Sequence, residues 1–225
     1  MHKNGSMHYR KQMIEQVDFD KYSESYEAAQ SKSWLMDKRH ISIIHNIIMC
    51  NSFKRILQIG IYTGFSSSAT FTALDKGKNF DLHLVDVEPQ HSVEKLIEAC
   101  DKPDNISVHS MLSSKFWPSL SKKIDLVIID GGHTIPDTSI DLFYSLENNI
   151  QNIISHDSNA WVNPEWGDMC IGSKQIARIL QNDRRFHCLE DKKNRPNEST
   201  YRGLVYATMK EELFEKAKPI FKELT

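Results

Sequence analysis

Three aspartates and two histidines in this chain stand where an apolar, strand-like run stops. Leu82-His83-Leu84-Val85 ends in Asp86, and Leu126-Val127-Ile128-Ile129 ends in Asp130-Gly131-Gly132-His133. Asn152-Ile153-Ile154-Ser155 ends in His156-Asp157. If the second and third runs are neighbouring strands, about 4.8 Å apart, Asp130 and Asp157 meet at one end of a sheet. Two carboxylates that close repel unless a cation or a proton lies between them. Such oxygen ligands suit magnesium, manganese or calcium. His156 and His133 would add nitrogen and tilt the choice towards manganese, iron or zinc. The alternative is that both acids cap loops or helix starts. His133 follows Asp130 by three positions. An imidazole with an ordinary pKa of about 6.5 can act as a base near neutral pH.

A second constellation opens at Gln58-Ile59-Gly60-Ile61-Tyr62-Thr63-Gly64-Phe65-Ser66-Ser67. Glycines let a backbone turn sharply and approach a ligand closely. A helix beginning just after them would point free N–H groups into the same crevice. The spacing is Gly-x-x-x-Gly, not the Gly-x-Gly-x-x-Gly of a pyrophosphate cradle. Asp86 follows Gly64 by 22 positions, close to the offset at which dinucleotide folds place the acid that binds a ribose. Together the two features favour a nucleoside site over a plain turn with an exposed acid. Trp161 and Trp166 lie in a long polar stretch after Asp157. They could wall a substrate or cover a core edge.

These residues need a scaffold that collects strand ends. Strands are expected at Arg55–Ile59, Leu82–Asp86, Ile106–His109, Ile124–Asp130, Asn152–Asp157, Phe186–Leu189 and Gly203–Ala207. Helical spacing covers Trp34 to Ile48, Ser66–Leu74, Val93–Cys100, Ser139–Leu146 and Ile171–Leu180. His40 and His45, on or beside the first helix face, read as packing or surface residues. Alternation of strand and helix predicts an α/β, doubly wound, mainly parallel seven-stranded sheet covered on both faces. The last two strands, joined by the polar stretch Asp191 to Ser199, predict an antiparallel hairpin at the C-terminal edge. Ligands of such sheets bind beyond the carboxyl ends of the strands. Residues 1–33 read as a tail and leading helix, and 34–225 as the Rossmann-like domain.

Composition narrows the field. Lys and Arg number 28 and Asp and Glu 30, a net charge of -2, so no basic footprint for nucleic acid is evident. Cys50, Cys100, Cys170 and Cys188 show no CxxC spacing and read as reduced thiols of a cytoplasmic protein. No apolar run suggests a signal peptide or a membrane span. Met13, Ile14, Val17 and Phe19 suggest a homodimer contact.

The chain resembles class I S-adenosylmethionine-dependent methyltransferases, and within them the catechol-type and macrocin-type small-molecule O-methyltransferases. Three motifs over residues 34–209 carry the resemblance: Arg55 to Ser67, Leu84 to Pro89, and Asp125 to His133 with Ile154 to Asp157. It implies methyl transfer to a small-molecule hydroxyl, assisted by Mg2+ or another divalent cation. It implies that Gln58, Gly60, Thr63, Gly64 and Ser66 line the methionine part of the cofactor. Asp86 would hold the ribose, with Val87, Ser110 and Met111 beside the adenine. Asp130 would lie near the methionine end and, with Asp157 and His156 or Ser158, hold the metal. His133 falls where catechol-type enzymes carry a catalytic lysine, which makes it the base, and Trp161 and Trp166 become a lid. Gln58 departs from the family acid that meets the cofactor's ammonium. Gly132 replaces an acid, and Ser158 an asparagine. Two other readings share the fold: a methyltransferase-like protein with other or lost chemistry, and a nicotinamide-dependent oxidoreductase. The single-glycine spacing and the final hairpin argue against the latter.

Overall fold

The computed structural model describes residues 14–22, 36–159, 171–192 and 202–224. Seven strands form one sheet: β1 (Arg55–Ile59), β2 (Asp81–Asp86), β3 (Ile106–Ser110), β4 (Leu126–Ile129), β5 (Asn152–His156), β6 (His187–Asp191) and β7 (Leu204–Thr208). Their order is β3-β2-β1-β4-β5-β7-β6. β1 to β5 are parallel, and β7 runs antiparallel between β5 and β6. The expected sheet and its antiparallel edge are therefore present, with β6 outermost and β7 inside it.

Side chains alternate across the sheet, which splits the core in two. Ile56, Leu82, Leu84, Leu126, Ile128, Ile154, Leu204 and Tyr206 face one layer. That layer contains α1 (Lys38–Met49), α2 (Ser68–Asp75), α3 (Ser92–Ala99) and α7 (Glu211–Leu224). Leu57, Ile59, Val85, Val127, Ile129, Ile153, Val205 and Ala207 face the other. There α5 (Ile135–Glu147) and α6 (Ile171–Asn182) pack together, beside the short α4 (Ser113–Phe116). The continuous apolar run of β4 is thus the mark of a strand covered on both sides.

Several boundaries differ from the sequence reading. The β4 run is paired only over Leu126–Ile129, and β6 extends to Asp191, which is a strand end rather than a turn residue. α5 starts at Ile135, because Thr134 caps it and Pro136 suits the first turn. α7 was not anticipated, although Leu213, Ala217, Ile220 and Phe221 follow helical spacing and are buried. His40 and His45 are fully buried, so neither is a surface histidine. Val17 is buried and Phe19 lies 6.0 Å from Phe65. These tail residues, like the partly buried Ile14, pack against the chain's own core; Met13 lies outside the described residues. Among the described residues no helix is long and apolar enough to cross a membrane.

One buried acid makes the fold pH-sensitive. Asp141 on α5 is buried and accepts a hydrogen bond from Trp117 Nε1 at 3.0 Å. Burial outweighs that bond and the one from Ser113 and lifts its pKa to about 6. The folded state therefore binds this proton more tightly than the unfolded chain does. Its contribution, of order 3 kcal/mol, is present below about pH 4 and is lost as pH rises through about 6. Asp141→Asn keeps the acceptor for Trp117 and removes the charge. Urea unfolding at pH 4.5 and 7.5 should show the variant gaining on the wild type as pH rises. A constant difference between the two proteins would refute this assignment.

Candidate functional site

The strand order reverses at β1, which has β2 on one side and β4 on the other. Crevices form at such switch points, above the carboxyl ends of the strands. The ends of β1, β2, β3, β4 and β5 bring Gln58, Asp86, Ser110, Asp130 and His156 to one edge. Backbone bonds continue past the last ladder pairs. Gly60 N–H donates to Val85 carbonyl at 2.9 Å, and Asp130 N–H to Ile59 carbonyl at 2.8 Å.

The glycine turn has a steric cause. Gly60 has φ +85°, and a Cβ there would lie 2.1 Å from the Asp130 carbonyl oxygen. Gly64 also has φ +85°, and its Cβ would meet Leu96 Cδ1 at 2.3 Å. At Gly60 the obstacle is backbone and excludes any side chain; at Gly64 it is the tip of Leu96, and the positive φ is what strains other residues there. Asp86 braces this turn: its Oδ2 accepts from Ile61 and Tyr62 N–H at 2.7 and 2.9 Å, and its Oδ1 from Glu88 N–H at 3.0 Å. A carboxylate has about four lone-pair sites, so one remains on Oδ1 for a further donor. Around it Tyr62, Val87, Met111 and Leu112 are exposed by 37, 61, 36 and 52%.

Gln58 is buried, and its Nε2 donates to Gly60 carbonyl at 3.2 Å and Ser66 Oγ at 2.9 Å. Its Oε1 is buried and accepts no hydrogen bond. A buried acceptor without a partner is costly, and an ammonium group is a donor that would satisfy it. Thr63 is buried, and its carbonyl accepts from Ser92 Oγ at 2.9 Å.

Beyond β4 and β5 lies a charged cluster. One ligand atom each from Asp130, His156 and Asp157 fall within 4.8 Å of one another. His156 Nδ1 is 2.9 Å from Asp130 Oδ1 and 3.5 Å from Asp157 Oδ1. His133 Nε2 is 2.9 Å from Asp157 Oδ2, and Arg202 Nη1 is 3.9 Å from Asp157 Oδ1. Asp157 has φ +55°, a left-handed conformation that aspartate tolerates better than most residues. Its Oδ1 is buried and accepts no hydrogen bond. Ser158 turns away, its hydroxyl donating to Glu190 at 3.2 Å. Position 132 has no room for an acid, because a Cβ there would meet Asp137 Oδ2 at 2.7 Å.

Burial opposes charge on His156, but Asp157 and Asp130 outweigh it and push its pKa up to about 10. For His133, too, burial is outweighed, by the hydrogen bond and charge of Asp157, and its pKa lies above the ordinary histidine value. Burial would raise Asp157, yet His156 and His133 hold it well below the usual carboxylate range.

Trp161 and Trp166 lie outside the described residues. Three residues that the sequence reading missed stand behind His156. His40 Nδ1 is 3.2 Å from His156 Nε2, and His40 Nε2 is 3.1 Å from Asp191 Oδ2. Arg39 Nη2 pairs with the same oxygen at 2.6 Å. These partners are 116 and 151 residues apart, and no local spacing signals such contacts.

Residues 57–151 match the family model of a methyltransferase domain. No curated protein matches the chain. Solved structures with the same fold include the O-methyltransferase TomG from Streptomyces achromogenes, in complex with SAM. It is 15% identical at a TM-score of 0.69, over 88% of this chain and 92% of that one. An O-methyltransferase from Bacillus cereus in complex with SAH is 14% identical at a TM-score of 0.68, over 85% and 91%. An SAH-bound methyltransferase from Podospora anserina is 16% identical at 0.67, over 85% and 88%.

The Gln58 amide has a local reason to be an amide. Gln58→Glu would place a carboxylate oxygen against the Gly60 carbonyl and remove a donor. The variant should lose about 1–3 kcal/mol of stability, read by thermal melting without added ligand. A variant as stable as the wild type would show that these two bonds contribute nothing.

Proposed function

We propose that this chain, in which residues 57–151 match a methyltransferase domain, moves a methyl group from S-adenosylmethionine to a hydroxyl oxygen of a small-molecule acceptor. One observation carries the reading. The glycine turn with its unsatisfied Gln58 Oε1 opens at the switch point of the sheet, on the same edge as the Asp130–His133–His156–Asp157 cluster. A methyl donor and an activated acceptor need that adjacency.

The cofactor supplies an electrophilic methyl group on a sulfonium centre. Gly60, Thr63, Gly64 and Ser66 border the space for its amino-acid part, and Gln58 Oε1 accepts from the ammonium. Asp86 takes a ribose hydroxyl on its remaining lone pair, and Val87, Ser110 and Met111 flank the adenine. The donor set of Asp130, Asp157 and His156 fits a divalent cation. It has two carboxylates, a buried Asp157 oxygen that accepts no hydrogen bond, and the His156 Nδ1, whose proton a cation would displace to solvent. Such a cation, when bound, would polarise the acceptor oxygen and lower its pKa. His133 is held through Nε2 by Asp157. Its Nδ1 is then the ring atom that takes the acceptor proton, the arrangement of an acid-oriented imidazole base. The acceptor is small and organic, and the reading invokes neither nucleic acid nor membrane. It places the enzyme in the cytoplasm.

Calorimetric titration with S-adenosylmethionine, with and without magnesium or manganese, tests this directly. Micromolar binding is expected, and no binding in any buffer would overturn the reading. Asp86→Ala should weaken that binding at least tenfold, because it removes both the ribose acceptor and the brace of Ile61 and Tyr62. Unchanged affinity would remove the ribose assignment. His133→Ala should keep cofactor binding and lower turnover by about 10²–10⁴-fold on an accepted substrate. Full activity would exclude it as the base.

A further inference from the structure

His156, Leu204 and Asp191 form one row across the sheet, through the pairs His156↔Leu204 and Asp191↔Leu204. Paired residues on adjacent strands face the same side. His156 and Asp191 therefore stand two strands apart on one face, and α1 lays the fully buried His40 between them. The result is a buried line, Asp191–His40–His156–Asp130, joined by contacts of 3.1, 3.2 and 2.9 Å. Nothing in the methyl-transfer chemistry requires the first two members.

Hydrogen-bond logic fixes the protons along this line. The Asp191 carboxylate, paired with Arg39, is an acceptor, so His40 carries its proton on Nε2. A His156 that offers its Nδ1 lone pair to a cation keeps its one ring proton on Nε2. The 3.2 Å contact then makes His40 Nδ1 the acceptor of the hydrogen bond from His156 Nε2–H. We propose that His40 and Asp191 are a positioning pair that holds the His156 ring with Nε2 as donor and Nδ1 turned to Asp130 and Asp157. This rests on the reading of Asp130, His156 and Asp157 as a cation site, and names what makes His156 a usable ligand there. Outer carboxylate–histidine partners of this kind orient a metal-binding imidazole and set its tautomer.

The test uses the full chain and Mn2+ as the probe, with free Mn2+ read by electron paramagnetic resonance. The wild type should bind Mn2+. His40→Phe removes the acceptor, and Asp191→Asn offers an amide donor that lets His40 carry its proton on Nδ1 instead. Both should bind Mn2+ about 10–100-fold more weakly, with cofactor affinity kept. His40→Asn restores an oxygen near the Nδ1 position and should recover most of the loss. Histidine-selective ¹⁵N NMR of the wild type should show His40 unprotonated at Nδ1 and His156 protonated at Nε2. The opposite His40 tautomer would overturn the proposal, even if the variants fail to fold. So would equal Mn2+ affinity in folded variants and wild type. A wild type that binds no Mn2+ would instead overturn the cation site itself and, with it, the role of the pair.

Discussion

Two neighbouring parallel strands that both end in aspartate create the constraint on which the rest of this structure depends. β4 and β5 are in register, Ile129 beside Ser155, which sets Asp130 level with His156, and ligand atoms of Asp130 and Asp157 lie within 4.8 Å of each other at the edge of a buried sheet. Water cannot screen them well there, and their repulsion must be answered by positive groups. The answers come from separate parts of the chain: His156 from β5, His133 from the turn after β4, and Arg202 from the approach to β7. The same edge then has a high density of held charge next to the glycine turn after β1.

The crevice itself depends on a second, steric constraint. The backbone of Gly60 passes so close to the Asp130 carbonyl that no side chain fits, and this closeness puts the turn after β1 against the tip of β4. Asp86 then ties that turn to β2 through two backbone N–H groups. The residue that would hold a ribose is thus also a structural brace. Gln58 serves similarly, holding the turn through its amide nitrogen while its oxygen stays unsatisfied. An amide can do both, whereas a carboxylate would face the Gly60 carbonyl.

Much of this was legible in the chain because it is local. The apolar runs that end in Asp86, Asp130 and Asp157 mark strands and their tips, and Gly60 and Gly64 mark a turn. α7 is equally local, since Leu213, Ala217, Ile220 and Phe221 carry its pattern, and the sequence reading passes over it. The other differences are less local. Asp191 read as a turn residue because only pairing with Leu204 makes it part of β6. Ser158 and His156 are equal candidates for the cluster in the sequence, and only the fold turns the Ser158 hydroxyl to donate to Glu190.

Sequence alone determined the alternation of strand and helix, the mainly parallel sheet with its antiparallel edge, and the acids at the strand tips. Those follow from side-chain periodicity and from residues a few positions apart. Only tertiary structure decided which nitrogen of which histidine meets which carboxylate. His40 reaches His156 across 116 residues and Asp191 across 151. Such contacts arise from strand register and from where α1 packs on the sheet, and neither is encoded in any short stretch of chain.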